Sequence, residues 1–177
     1  MKTIAALAFA SALALSTGAA IAADAPSDDF MGDGVVTDDS GFDWDGFFIT
    51  VYGAYAFGFI DPATGEGISL GVNMTSDNIL YGVTVTAGTF QGGQLDGQFI
   101  SQGVVRLGVL ATDNVVLYGL AGLGWETYHD AYYIPTGLGV EFGVTDNISL
   151  RLQYQANYVP PENDWASSLS AGLSWYF

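Results

Sequence analysis

Cysteine is absent from the 177 residues, so disulfides and thiolate metal centres are excluded, and an oxidising compartment is neither exploited nor ruled out. Positive charge is almost as scarce. Lys2, Arg106 and Arg151 stand against 19 acidic residues, for a formal charge of −16. A phosphate backbone needs a basic face, so nucleic acid is not a partner. Histidine occurs once, as His129 in Tyr128-His129-Asp130, with no serine near it in sequence, which leaves acyl-hydrolase chemistry without a nucleophile beside its base. Long apolar runs are missing too, apart from Ile4 to Leu15. Those 12 residues fall short of the roughly 20 that a spanning helix needs. Met1-Lys2-Thr3 precedes them and Ala20-Ile21-Ala22 follows, so residues 1–22 read as a cleaved signal peptide. Cleavage removes Lys2 and takes the charge from −16 to −17.

What is present is alternation. Eight stretches place large apolar residues on one parity and small or polar residues on the other. Phe47, Ile49, Val51, Tyr55 and Phe57 oppose Thr50, Tyr52, Ala54 and Ala56 in the first. The seventh sets Ile148, Leu150, Leu152 and Tyr154 against Ser149, Arg151, Gln153 and Gln155. The eighth sets Leu169, Leu173, Trp175 and Phe177 against Ser168, Ser170, Ser174 and Tyr176. Apolar outside and polar inside is the polarity of a lipid-facing barrel, the reverse of a soluble lipocalin-like one. Aromatic residues on the outward parity fall at two heights, Phe47, Tyr81, Trp175 and Phe177 at one end and Phe57, Phe59, Trp125, Tyr158 and Trp165 at the other. Two such girdles flank the aliphatic band that a bilayer requires. The fold class is therefore all-β, an eight-stranded antiparallel up-and-down transmembrane β-barrel over residues 46–177. The fourth and fifth strands are the least regular, because Ile100, Val104, Leu110, Val116 and Leu120 take the inward parity.

The turns repeat. Ser76-Asp77-Asn78, Thr112-Asp113-Asn114 and Thr145-Asp146-Asn147 each join two alternating stretches. The second and third predict three-residue loops with Asn in the left-handed region. The first predicts a four-residue irregular turn or a bulge between Met74 and Ile79. All three sit on one side, and longer connections (60–67, 91–97, 128–136 and 159–164) are expected on the outward-facing side. Residues 23–45 carry eight aspartates and no cation, which predicts a solvated periplasmic arm. Asp43-Trp44-Asp45-Gly46 and the aspartates around Phe30 lack the full ligand spacing of a calcium loop, so no metal is implied. Gly119-Leu120-Ala121-Gly122-Leu123-Gly124 lacks the helix of a nucleotide-binding loop and reads as strand glycines facing a crowded interior. No cofactor is implied.

The predicted strands contain four charges, Arg106, Glu126, Glu141 and Arg151, all on the inward parity. A charge facing lipid at mid-bilayer costs about 2–4 kcal/mol, which explains the bias. A three-residue loop at Thr145–Asn147 makes Glu141 and Arg151 directly opposed, hence a cross-strand pair. Glu126 is expected near the outer mouth. Such charges could form a selective constriction. The balance of signs, in a lumen only wide enough for side chains, favours a compensated network that fills it.

Phe42-Asp43-Trp44-Asp45-Gly46-Phe47-Phe48 resembles the aromatic opening of the first strand in the porin-family outer membrane β-barrel proteins. Gly137-Leu138-Gly139-Val140-Glu141-Phe142, Thr145-Asp146-Asn147 and Leu150-Arg151-Leu152-Gln153-Tyr154 are similar to that family's sixth-to-seventh-strand hairpin. The resemblance spans about residues 42 to 177 and implies a barrel like the outer membrane protein A transmembrane domain. It also implies a surface or porin-like role and no enzyme. The family often carries glutamate where this chain has Gln153, which implies one lumen charge fewer here. Trp175 and Phe177 resemble the terminal signal by which the barrel-assembly machinery recognises outer-membrane proteins. The expected partners are that machinery, outer-membrane lipid and lipopolysaccharide. The expected state is a monomer with a structural or surface role, with slow solute passage as the alternative and lipid modification as a lesser one.

Overall fold

The computed structural model describes residues 41–58, 61–127, 131–160 and 163–177. The signal peptide, the arm as far as residue 40, Phe59 and His129 lie outside the described residues. Eight strands form: β1 (Gly46–Gly58), β2 (Ala63–Ser76), β3 (Ile79–Gln91), β4 (Gln98–Thr112), β5 (Val115–Glu126), β6 (Ala131–Gly143), β7 (Ile148–Val159) and β8 (Asp164–Tyr176). Each pairs antiparallel with its neighbours in the chain, and β8 returns to β1, so the sheet closes without an edge. The outer surface is apolar. Phe47 is 70% exposed, Val105 60%, Leu138 69% and Phe177 78%. A continuous exposed band of this kind requires a hydrocarbon environment. The molecule is a transmembrane β-barrel.

The registers follow the alternation, and the turns differ from expectation in instructive ways. Ser76 pairs with Ile79, so the first turn has two residues, Asp77 and Asn78, with no bulge. Asp77 takes φ +52, a left-handed conformation that a short polar side chain tolerates. The irregularity falls instead at the second turn. Leu110 pairs with Val116, the register then shifts, and Thr112 pairs with Val115. The bulge absorbs one residue of the expected three-residue loop while keeping Leu110 and Val116 on the inward parity. At the third turn Glu141 pairs with Arg151 as expected. Neither Asn114 nor Asn147 is left-handed. The third loop is held by the Thr145 hydroxyl, which accepts from the Ile148 amide at 3.1 Å.

The strands also reach further toward the loop end than expected. β2 begins at Ala63 and β6 at Ala131, because both continue through residues whose pattern reads as loop. Pro135 lies inside β6 and pairs with Asn157 of β7, whereas the pairing of β6 with β5 skips from Thr136 to Tyr133. Proline has no N–H to donate, so the ladder is interrupted on that side alone.

Candidate functional site in the barrel lumen

The lumen is built in three layers. At the turn end, Phe48, Leu80, Val104, Val116, Tyr118, Leu120 and Tyr176 form a buried apolar cluster. Four of the inward apolar residues that make β4 and β5 irregular in sequence, Val104, Leu110, Val116 and Leu120, thus have a purpose, since they pack into this cluster. Phe42 and Trp44 complete it. They lie on the same parity as Phe48 and continue its inward face past the start of β1. Their rings are 4.4 Å apart, and Tyr176 meets Phe42 edge-on at 5.0 Å. Trp44 Nε1 donates to the Asp113 carbonyl at 3.0 Å, and the Phe42 amide donates to Asn114 Oδ1 at 2.9 Å. The second turn therefore docks the chain that enters the barrel. A wholly solvated arm is not what residues 41–45 form, because the two aromatics gain more from burial than the flanking aspartates lose by following them.

Above the floor sits the charged cluster. Glu141 is fully buried and accepts from both arginines, from Arg106 Nη2 at 2.7 Å and from Arg151 Nε at 3.1 Å. Its Oε1 also accepts from Tyr176 OH at 3.0 Å and from the Ser149 hydroxyl. The pair expected between β6 and β7 is therefore a triad that also reaches β4. The Arg106 guanidinium lies 4.0 Å from the Tyr118 ring centroid, and Arg151 lies 4.9 Å from that of Phe48. Aromatic faces stabilise the two cations where one carboxylate cannot neutralise both. Glu126 stands apart, half-buried at the far end of β5. Leu120 pairs with Arg106, and six residues of strand separate it from Glu126, roughly 20 Å at about 3.3 Å per residue. Ser149 and Tyr176 were legible as inward but not as partners of Glu141, because parity gives a face and not a contact.

The third layer is neutral. Thr50 and Ser174 share a hydrogen bond at 2.9 Å, as do Ser69 and Thr86. Gln155 donates to Gln102 Oε1 at 3.0 Å, Tyr133 OH reaches the same oxygen at 3.3 Å, and Tyr118 OH donates to Gln153 Oε1 at 3.0 Å. Gln153 thus serves as a neutral acceptor. Interior glycines make room for the rings. A Cβ on Gly124 would lie 2.1 Å from the Tyr133 ring, and one on Gly139 2.3 Å from Tyr118. Nearer the loop end, Ala54, Ala56, Ala63 and Phe90 pack with Tyr52 and Ile100. Among the described residues no group of carboxylates or histidines is placed to hold a metal.

Outside the lumen, Trp175 and Phe177 face outward with ring centroids 6.5 Å apart. The Phe177 amide donates to the Phe47 carbonyl at 2.9 Å, which extends the β1–β8 seam to the last residue.

No family model and no curated protein matches the chain. Solved structures do. A de novo designed transmembrane β-barrel aligns with a TM-score of 0.56 at 13% identity, over 77% of this chain and 99% of that one. Ail, the attachment invasion locus protein of Yersinia pestis, in complex with the heparin analogue sucrose octasulfate, aligns at 0.54 and 11% identity, over 75% and 99%. Neisserial surface protein A aligns at 0.52 and 19% identity, over 74% and 97%. At these identities the likeness is one of fold, and the fold is that of the small eight-stranded transmembrane barrels.

Proposed function

We propose that this chain is an outer-membrane protein with a structural or surface-interaction role, whose barrel serves as an anchor and whose lumen is filled. The observation that carries this reading is the stacked floor. Phe42, Trp44, Phe48 and Tyr176 lie ring against ring across the turn end, directly beneath the arginine–glutamate triad. A solute would have to displace both layers together. The neighbours named for attachment and invasion and as a surface protein point the same way, as does the porin-family resemblance at Phe42–Phe48. No chemistry is assigned. The test is conductance of the refolded chain in a planar bilayer. The expected record is silent, or shows small intermittent events. A large steady conductance would replace this reading with a porin-like channel.

A further inference from the structure

The triad leaves a charge over. Arg106 and Arg151 bring two positive charges to one carboxylate, so this level of the lumen holds a net +1. Glu141 has no capacity to spare, because its two oxygens already accept five hydrogen bonds. A carboxylate offers about four lone-pair sites. Arg106 is only 3% exposed, yet its Nε and Nη1 have no partner. The Thr84 hydroxyl, also buried, has none either. Arg106, Arg151 and Thr84 line one cavity of about 50 Å³ on the side of the triad away from the floor. A water needs about 10–15 Å³ of such space, so the cavity holds a few water-sized occupants and no large organic acid.

We infer that this cavity binds one small monovalent inorganic anion, of the chloride class, against Arg106 Nε and Nη1 with the Thr84 hydroxyl as a further donor. Such an ion satisfies donors that Glu141 cannot reach. It also cancels the excess charge, which is costly where water is scarce. Water alone does the first and not the second. The competing arrangement is a water shared between Arg106 and Asn73 Oδ1, a buried acceptor that also lacks a partner and pairs through Gly82 with Arg106 across β2, β3 and β4.

Bromide separates the two, because it replaces chloride and scatters anomalously. Crystals of the refolded full chain grown in sodium bromide should show an anomalous peak within hydrogen-bonding distance of Arg106 Nε or Nη1. A featureless anomalous map there overturns the inference in favour of water. In solution, the unfolding midpoint should be several degrees higher in sodium chloride than in sodium gluconate at equal ionic strength. Arg106→Gln, which leaves the Glu141–Arg151 pair intact, should abolish that difference. A difference that survives in R106Q is a general salt effect and also overturns the inference. Thr84→Val, which leaves every charge in place, should reduce the difference without abolishing it.

Discussion

Glu141 binds four side chains from three strands, so its removal is felt well beyond its own pair. Glu141→Ala leaves two buried guanidinium groups facing each other across an empty site. Breaking one side of a buried pair costs on the order of 3–5 kcal/mol. Arg151→Ala should cost less, because Arg106 still holds the carboxylate at 2.7 Å. The double variant should lose less than the sum of the two, by on the order of 1–2 kcal/mol of coupling. Urea titration of the refolded barrel measures all three. Losses that simply add would mean that Arg151 takes its stability from the aromatic faces and not from Glu141. The pair itself was legible, because one loop length sets the whole β6–β7 register. Arg106 was not, since its link to Glu141 crosses the lumen between strands that share no hydrogen bonds.

At the scale of elements, the segment Gly41–Asp45 behaves as part of the barrel without being a strand. Trp44→Ala should cost about 3–5 kcal/mol, as for a fully buried aromatic. Phe42→Ala should cost a similar amount, and the double variant less than their sum, because the two rings are in contact and share Tyr176 as a neighbour. Equilibrium unfolding of the three variants tests this, and a Trp44→Ala barrel as stable as the parent would mean that the segment does not seal the floor. The clue was in the sequence as two aromatics on the inward parity, set among aspartates whose composition reads as disorder. Composition averages over a window, whereas burial is decided side chain by side chain. The strand count, the faces and the register across the third turn were all legible from period-two alternation, whereas the conformation of Asn147 was not. The bulge at Leu110–Thr112 was not, because it preserves the alternation that would reveal it. At the other terminus, deletion of Phe177 should lower insertion yield in cells far more than it lowers the stability of the folded barrel. It forfeits one backbone bond and one interfacial ring at the seam. Fractionation of cells expressing the truncated chain, with unfolding of the refolded product alongside, separates the two effects. Normal yield would make the terminal aromatic dispensable.

For the whole molecule, closure of the sheet satisfies every strand from both sides, and detergent has no edge from which to open it. Unboiled protein should therefore migrate differently from boiled protein on a denaturing gel. Identical migration, with recovery in a soluble fraction, would remove the membrane assignment.

The seam also imposes an order on folding. Seven of the eight strand pairings join neighbours in the chain and can form as local hairpins, each within microseconds once begun. The eighth brings together residues as distant as Thr50 and Ser174, 124 apart. Closing a loop of that length costs about 2 kcal/mol more entropy than closing one of about ten residues. Closure of the β1–β8 seam is therefore the expected slow step, following the local hairpins. Substitutions in the β2–β3 hairpin, which is paired before closure, should slow folding and leave the unfolding rate nearly unchanged, while equally destabilising ones along Phe48–Gly58 or Ala166–Tyr176, in the seam made last, should also speed unfolding.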